Sequence, residues 1–273
     1  MTMNMAEIYL SGSFLNKTGN LTPKNAVIVG GRFMTEQPLG DNERWLVRGS
    51  YTSELRLTDG GARDNTTMAR FTIGFGKPQF RVLLPGLTFM RNPQLGTSWM
   101  GNVSLAGARF EPVNTLGVPG TRFRQRMAIT GEIGVSGMEH LIPSLVAPRG
   151  PLPGAGPRDT FKHIDGGWYT GAGFDYRIQK GSNGLRAAFS FAHVFSPEDM
   201  TMFTETLEFF HQLGGHSPWR LTAGLTRTDN FDPGFRRFGG RLWEWKPRLG
   251  VAYTWGGRMQ APRLSGTDSR RRP

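Results

Sequence analysis

The 273-residue chain contains no cysteine, which excludes disulfide frameworks and thiolate metal sites. It contains no apolar run near the ~20 residues that a membrane-spanning helix requires. Met1 to Leu10 lacks the basic start and continuous apolar stretch of a signal peptide. Met1, Met3 and Met5 crowd the start while residues 6 to 15 already read as a strand, so we expect truncation or a misplaced start, the alternatives being an uncleaved route to the membrane and a soluble protein. Histidine is scarce: His140, His163, His193, His211 and His216 form no constellation. His216 next to Ser217 sits in a turn beside Pro218 with no orienting acid, so it makes a poor Ser/His pair. His211 with Glu208 needs further ligands before it holds a metal. We therefore expect no catalytic residues, no metal, no cofactor and no enzyme activity.

What the chain does have is glycine and aromatic residues. There are 38 glycines, about twice the ordinary share of roughly 7%, and 11% of residues are aromatic. Helix-rich and disordered proteins have neither feature. The formal charge of +12, from 33 Lys+Arg against 21 Asp+Glu, points to an anionic partner, whether lipid headgroup, nucleic acid or solute. Coding bias also enriches arginine without a functional reason. Part of the excess is local: Arg263, Arg270, Arg271 and Arg272 fall in a tail, 257–273, expected to be disordered. No composition break divides the rest, so 1–256 reads as a single β domain.

Residues 167 to 179 place Trp168, Ala172, Phe174, Tyr176 and Ile178 on one face and Tyr169, Gly171, Gly173, Asp175, Arg177 and Gln179 on the other. Its apolar face runs through about ten residues, the length a tilted strand needs to cross a hydrocarbon layer. About twelve such segments recur, near 6–15, 25–35, 44–57, 67–76, 79–90, 98–110, 122–137, 167–179, 185–196, 200–212, 219–229 and 247–256. Short turns follow strands four, eight and ten, and the two longest connections, 138–166 and 230–246, follow strands seven and eleven. That parity matches short turns on one side of a membrane and longer loops on the other. The short link 196–199 and the long link 111–121 break the pattern. Trp45, Trp219 and Trp255 fall at one set of strand ends, and Trp99 and Trp168 at the other, as in paired aromatic girdles. Tryptophans that merely end the strands of a soluble sandwich give the same placement.

Alternation alone does not say which face is wet, because a soluble barrel is the same pattern inside out. The polar faces carry small residues, among them Gly171, Gly173, Ala188, Ser190, Gly224 and Gly250, where a solvated sheet carries more Lys and Glu. Small residues leave space inside a closed wall. We therefore predict an all-β fold: a closed, antiparallel, up-and-down transmembrane β-barrel of about 12 strands. Segment 200–212 fits poorly, since either Glu205 or Glu208 must face lipid.

With the apolar faces outward, the lumen receives Arg44, Arg48, Arg56, Arg70, Arg122, Arg124, Arg126, Arg177, Arg186 and Arg220, against Glu54, Glu132 and Asp175. Arginine ladders draw anions and repel cations, and Arg122, Arg124 and Arg126 form the sharpest one. The opposing reading is that these arginines pair with acids across strands and only fill the barrel. Twelve strands give a bore between a filled eight-stranded barrel and an open sixteen-stranded porin. The Pro/Gly-rich segment Leu141–Gly166 reads as a constriction, a binding surface or a disordered loop. Segment 230–246, with Arg236, Arg237, Trp243 and Trp245, suits acidic lipid headgroups.

Across about 6–256 the pattern resembles the broad class of Gram-negative outer-membrane β-barrels, by architecture and not by a diagnostic motif. The resemblance implies the bacterial outer membrane as location and membrane lipid, lipopolysaccharide included, as partner. It also implies a porin-like channel or transport barrel for small polar or anionic solutes. Many members end in an aromatic residue, whereas this chain continues past Trp255 to Pro273. The competing reading is a soluble β-rich structural or virion protein whose basic tail touches nucleic acid. It requires Phe71, Phe123, Phe174 and Phe189 to meet in a dry centre.

Overall fold

The computed structural model describes residues 3–17, 25–40, 43–58, 63–92, 97–115, 123–143, 160–195, 200–214, 217–231 and 242–255. Nearly all are strand: β1 (Met3–Lys17), β2 (Ala26–Leu39), β3 (Trp45–Thr58), β4 (Arg63–Lys77), β5 (Phe80–Leu83), β6 (Gly86–Asn92), β7 (Thr97–Asn114), β8 (Arg124–Pro143), β9 (Thr160–Lys180), β10 (Asn183–Phe195), β11 (Met200–Gln212), β12 (Trp219–Phe231) and β13 (Leu242–Trp255). β5 and β6 are two halves of one stave, because each pairs with β4 on one side and β7 on the other. The break falls at Leu84-Pro85, where proline has no amide to give to the ladder. The wall therefore has twelve staves, each antiparallel to its neighbour in sequence, and β1 closes it by pairing with β13 as well as β2. Closure leaves no open edge, which is the condition for a sheet to stand in lipid.

The staves are strongly tilted. From Lys17 of β1, ladder partners run through Leu242, Asn230, Met202, Ala192, Gly171, Glu132, Gly107, Leu83, Gly74, Leu46 and Pro38. That path leaves β1 at its last residue and returns at its start, beyond the Met3–Glu36 pair. Such a stagger tilts every stave and widens the bore relative to an upright wall.

Faces follow the alternation. Ile8, Leu10, Val27, Val29, Leu55, Phe71, Phe123, Phe174, Phe189, Leu221 and Leu249 point outward and are exposed. The four phenylalanines that a soluble fold would bury together are 37–44% accessible on the outside, so that reading is overturned. Glu7, Arg32, Glu54, Arg56, Arg126, Glu208 and Glu244 are buried inside. A cylinder with an apolar exterior and a charged interior is a membrane-spanning barrel, because only lipid makes that exterior favourable.

Inward glycines do not leave the lumen empty, contrary to the expectation from sequence. A Cβ at Gly173 would meet the Thr130 hydroxyl, and one at Gly250 the Glu7 carboxylate. At Gly30 and Gly184, which the sequence reading did not single out, it would overlap the Tyr9 and Phe210 rings of the neighbouring staves.

Two connections are shorter than predicted. β8 and β9 stay paired from Met138↔Asp165 to Pro143↔Thr160, so much of 138–166 is a two-stranded extension, and 144–159 lies outside the described residues. β9 runs past its last β10 partner, Trp168↔Phe195, so this extension stands beyond the neighbouring rim. Likewise β13 begins at Leu242, inside the expected loop 230–246. The disordered tail assigned to 257–273 lies outside the described residues.

Candidate functional site

The described residues enclose a polar lumen, and its charges sort by height. In the middle and towards the long-loop end, five bases meet five acids. Arg32 pairs with Glu7 and, at 2.8 Å, with Glu208, while Arg248 pairs with Glu208 from the other side. Arg56 pairs with Glu244 at 2.5 Å and donates to Ser13. Lys246 joins Glu54 at 2.9 Å, and the Tyr9 hydroxyl donates to the same carboxylate at 2.9 Å. Arg70 reaches Glu132 at 2.7 Å. Every one of these carboxylates is matched.

Towards the short-turn end the balance fails. Inward strand positions there carry Arg48, Arg81, Arg109, Arg124, Arg126, Arg177, Arg186 and Arg220 against Glu36, Glu111 and Asp175. Glu111 is shared by Arg109 at 2.5 Å, Arg126 at 3.0 Å and, more distantly, Arg81 at 4.0 Å. Glu36 takes Arg48 at 3.1 Å and also Arg126, which reaches it from the far side of the bore. β2 and β8 are separated by four staves along the shorter arc, so this pair crosses the lumen and narrows it.

Asp175 holds Arg177 at 3.0 Å and Arg186 at 2.7 Å. Those two arginines are directly opposite each other on β9 and β10, and Arg126 is opposite Arg177 on β8. Three like charges in direct cross-strand register are destabilising by themselves. Arg220 has no ion pair among the described residues; its guanidinium lies over the Phe210 ring, 5.0 Å from the centroid. Arg44 is exposed in the turn before β3, and Arg122 lies outside the described residues, so the predicted Arg122, Arg124, Arg126 ladder is seen only through its last two members.

Sequence reading found three lumen acids, Glu54, Glu132 and Asp175, and missed Glu7, Glu36, Glu111, Glu208 and Glu244. It also missed Arg32, Arg81, Arg109, Lys246 and Arg248. Bulges explain part of this. The β7–β8 register shifts between Ser104 and Ala106, so inward residues change from even (Met100, Asn102, Ser104) to odd (Arg109, Glu111). Leu84-Pro85 makes the same switch between Arg81 and Met90. Arg56 is fully buried and meets Glu244 through Nη2.

One wall of the long-loop half is apolar. Met90, Met100, Tyr169 and Val194 are buried together with Met202 against them.

The conflict in 200–212 resolves through pairing. Glu208 turns inward, 7% exposed, between Arg32 and Arg248, whereas Glu205 turns outward, 55% exposed. Outside, Glu205 is 3.6 Å from Arg227, which also holds Asp229 at 2.7 Å and lies over Trp245. That ladder line, Glu205↔Arg227↔Trp245, belongs to the upper part of the wall, where a charge reaches headgroups.

Trp45, Trp219 and Trp255 point outward at the short-turn end, Trp168 points outward at the long-loop end, and Trp99 is half-buried near it. At the short-turn end they pack at tilted or edge-on angles against Phe75, Tyr253 and Phe33. His193 faces outward between Phe191 and Phe195 with Nδ1 2.7 Å from the Thr201 hydroxyl, and His211 is 2.8 Å from Asn183. The Ser217 hydroxyl accepts the Trp219 amide at 3.2 Å, a turn contact, and His216 lies outside the described residues.

No family model and no curated protein matches the chain. Solved structures similar to it include an outer membrane channel from Pseudomonas putida F1, 8% identical over 93% of this chain and 95% of that one, with a TM-score of 0.48. The NanC porin is 10% identical over 90% and 98%, TM-score 0.43. The translocator domain of the autotransporter NalP from Neisseria meningitidis is 11% identical over 92% and 88%, TM-score 0.41. The likeness goes no further than general barrel shape.

Proposed function

We propose that this protein is an outer-membrane channel for small anionic solutes, with the arginine-rich layer at the short-turn end setting its charge preference. The observation that carries this is the axial sorting of charge among the described inward strand residues: five bases against five acids above, eight arginines against three acids below. A balanced network fills a wall, whereas an excess of one sign in a low-dielectric tube raises the local concentration of the opposite ion. Ion pairs across the bore, Arg126 with Glu36 and Arg32 with Glu208, restrict passage to small solutes. Outward tryptophans at the two ends act as girdles, and lipid headgroups, lipopolysaccharide among them, meet the outward Arg227.

Planar-bilayer recording of the refolded barrel under a potassium chloride gradient tests this. The expected reversal potential is that of an anion-preferring pore. Arg44, Arg124 and Arg220 have no ion-pair partner among the described residues, so changing all three to Gln orphans no carboxylate and is expected to shift the potential towards zero. Cation preference, or no conductance, overturns the proposal.

A further inference from the structure

At the long-loop end, away from the arginine layer, the geometry points to a binding site for a soft monovalent cation of the Cu(I) class, held by the thioethers of Met68, Met90 and Met100. The ladder sets the three in one row across adjacent staves. Met68 of β4 is directly opposite Met90 of β6, and Met90 is directly opposite Met100 of β7. Met138 of β8 takes the next register position. Directly opposite residues bring their Cβ atoms to about 4.5–5.5 Å, and methionine is unbranched and flexible, so an ion beside Met90 is within reach of the sulfurs on either side. Met90 and Met100 are buried with Met202 packed against them, while Met68, also on the inner face, is accessible. The row thus offers one open sulfur for entry and two enclosed ones for retention.

Packing alone does not account for the choice of residue. Neighbouring inward positions on these staves are polar: Thr66 and Arg70 on β4, Thr88 on β6 and Asn102 on β7. The apolar contacts of Met90 and Met100 with Tyr169 and Val194 would be served as well by leucine, which is close in volume. What leucine lacks is a soft donor. Thioethers favour Cu(I), and in a chain without cysteine they are the only sulfur ligands. Arg70, the nearest base along β4, is matched by Glu132 at 2.7 Å and does not hold a cation off. The site does not depend on the anion preference of the other end.

The test is titration of the detergent-solubilised barrel with Cu(I) in competition with bicinchoninate, under anaerobic ascorbate. Stoichiometric binding is expected, with Zn(II) not competing, and X-ray absorption of the copper-loaded barrel is expected to show a sulfur-dominated first shell. Met90→Leu and Met100→Leu conserve volume and keep the fold, which heat-modifiable gel mobility checks; each is expected to weaken Cu(I) by about tenfold or more. Met34→Leu is the control. Met34 is opposite Met5, but the next partners on either side are Ser50 and Thr254, so that pair has no third thioether in line and the variant is expected to bind as the parent does. Absence of stoichiometric binding, a nitrogen or oxygen first shell, or an affinity unchanged in both Met90→Leu and Met100→Leu overturns the site. An equal loss in Met34→Leu does so too, because binding would then be a general property of the chain's methionines.

Discussion

Glu208→Ala is expected to destabilise the barrel by about 3–5 kcal/mol, the cost of leaving buried charge without its partner. Glu208 bridges Arg32 of β2 and Arg248 of β13 from its place on β11, and all three side chains are largely out of solvent. Removing the carboxylate leaves two guanidiniums sharing Glu7 alone. Glu205→Ala, three residues away on the opposite face, removes a half-exposed partner of Arg227 and is expected to cost no more than about 1 kcal/mol. Denaturant titration of the two variants in the same micelles checks the contrast. Equal losses would mean that β11 is placed in the wrong register.

Leu249→Arg carries the second large effect, about 2–4 kcal/mol when the barrel is folded into lipid. Leu249 is midway along β13, points outward and is 69% accessible, so its only covering is the bilayer. The cost is that of placing a guanidinium near the hydrocarbon midplane. Leu213→Arg, in the short turn before β12, puts the same charge at the interface and is expected to cost about 0–1 kcal/mol. Reversible unfolding from phosphatidylcholine vesicles reads both. A Leu249→Arg barrel as stable as the parent would show that this face meets water or protein.

The stave count and the apolar side of the unbroken strands were legible because alternation is a local signal: Phe71, Ile73 and Phe75 announce one side of β4 without knowledge of any partner. The register was not legible, and the site depends on register. Arg126, Arg177 and Arg186 are far apart in the chain and come together only when β8, β9 and β10 are aligned. Bulges hid Arg109 and Glu111, because one inserted residue reverses which parity faces inward while leaving local composition unchanged. The acids were undercounted for a related reason. Glu36 and Glu244 lay just outside the expected strands 25–35 and 247–256, and all three acids, Glu7 included, found their place only when β1, β2 and β13 were paired. Glycine misled in the other direction, since Gly173 and Gly250 read as space, whereas the Thr130 hydroxyl and the Glu7 carboxylate lie over them.

The central claim, that the apolar face is the outside, is tested most directly by single cysteines introduced into this cysteine-free chain. With the barrel folded in vesicles, a fluorophore at position 71 or 189 is expected to be quenched by lipid-borne nitroxide, and one at 70 or 190 is not. Quenching at 70 and 190, with 71 and 189 shielded, would contradict the account.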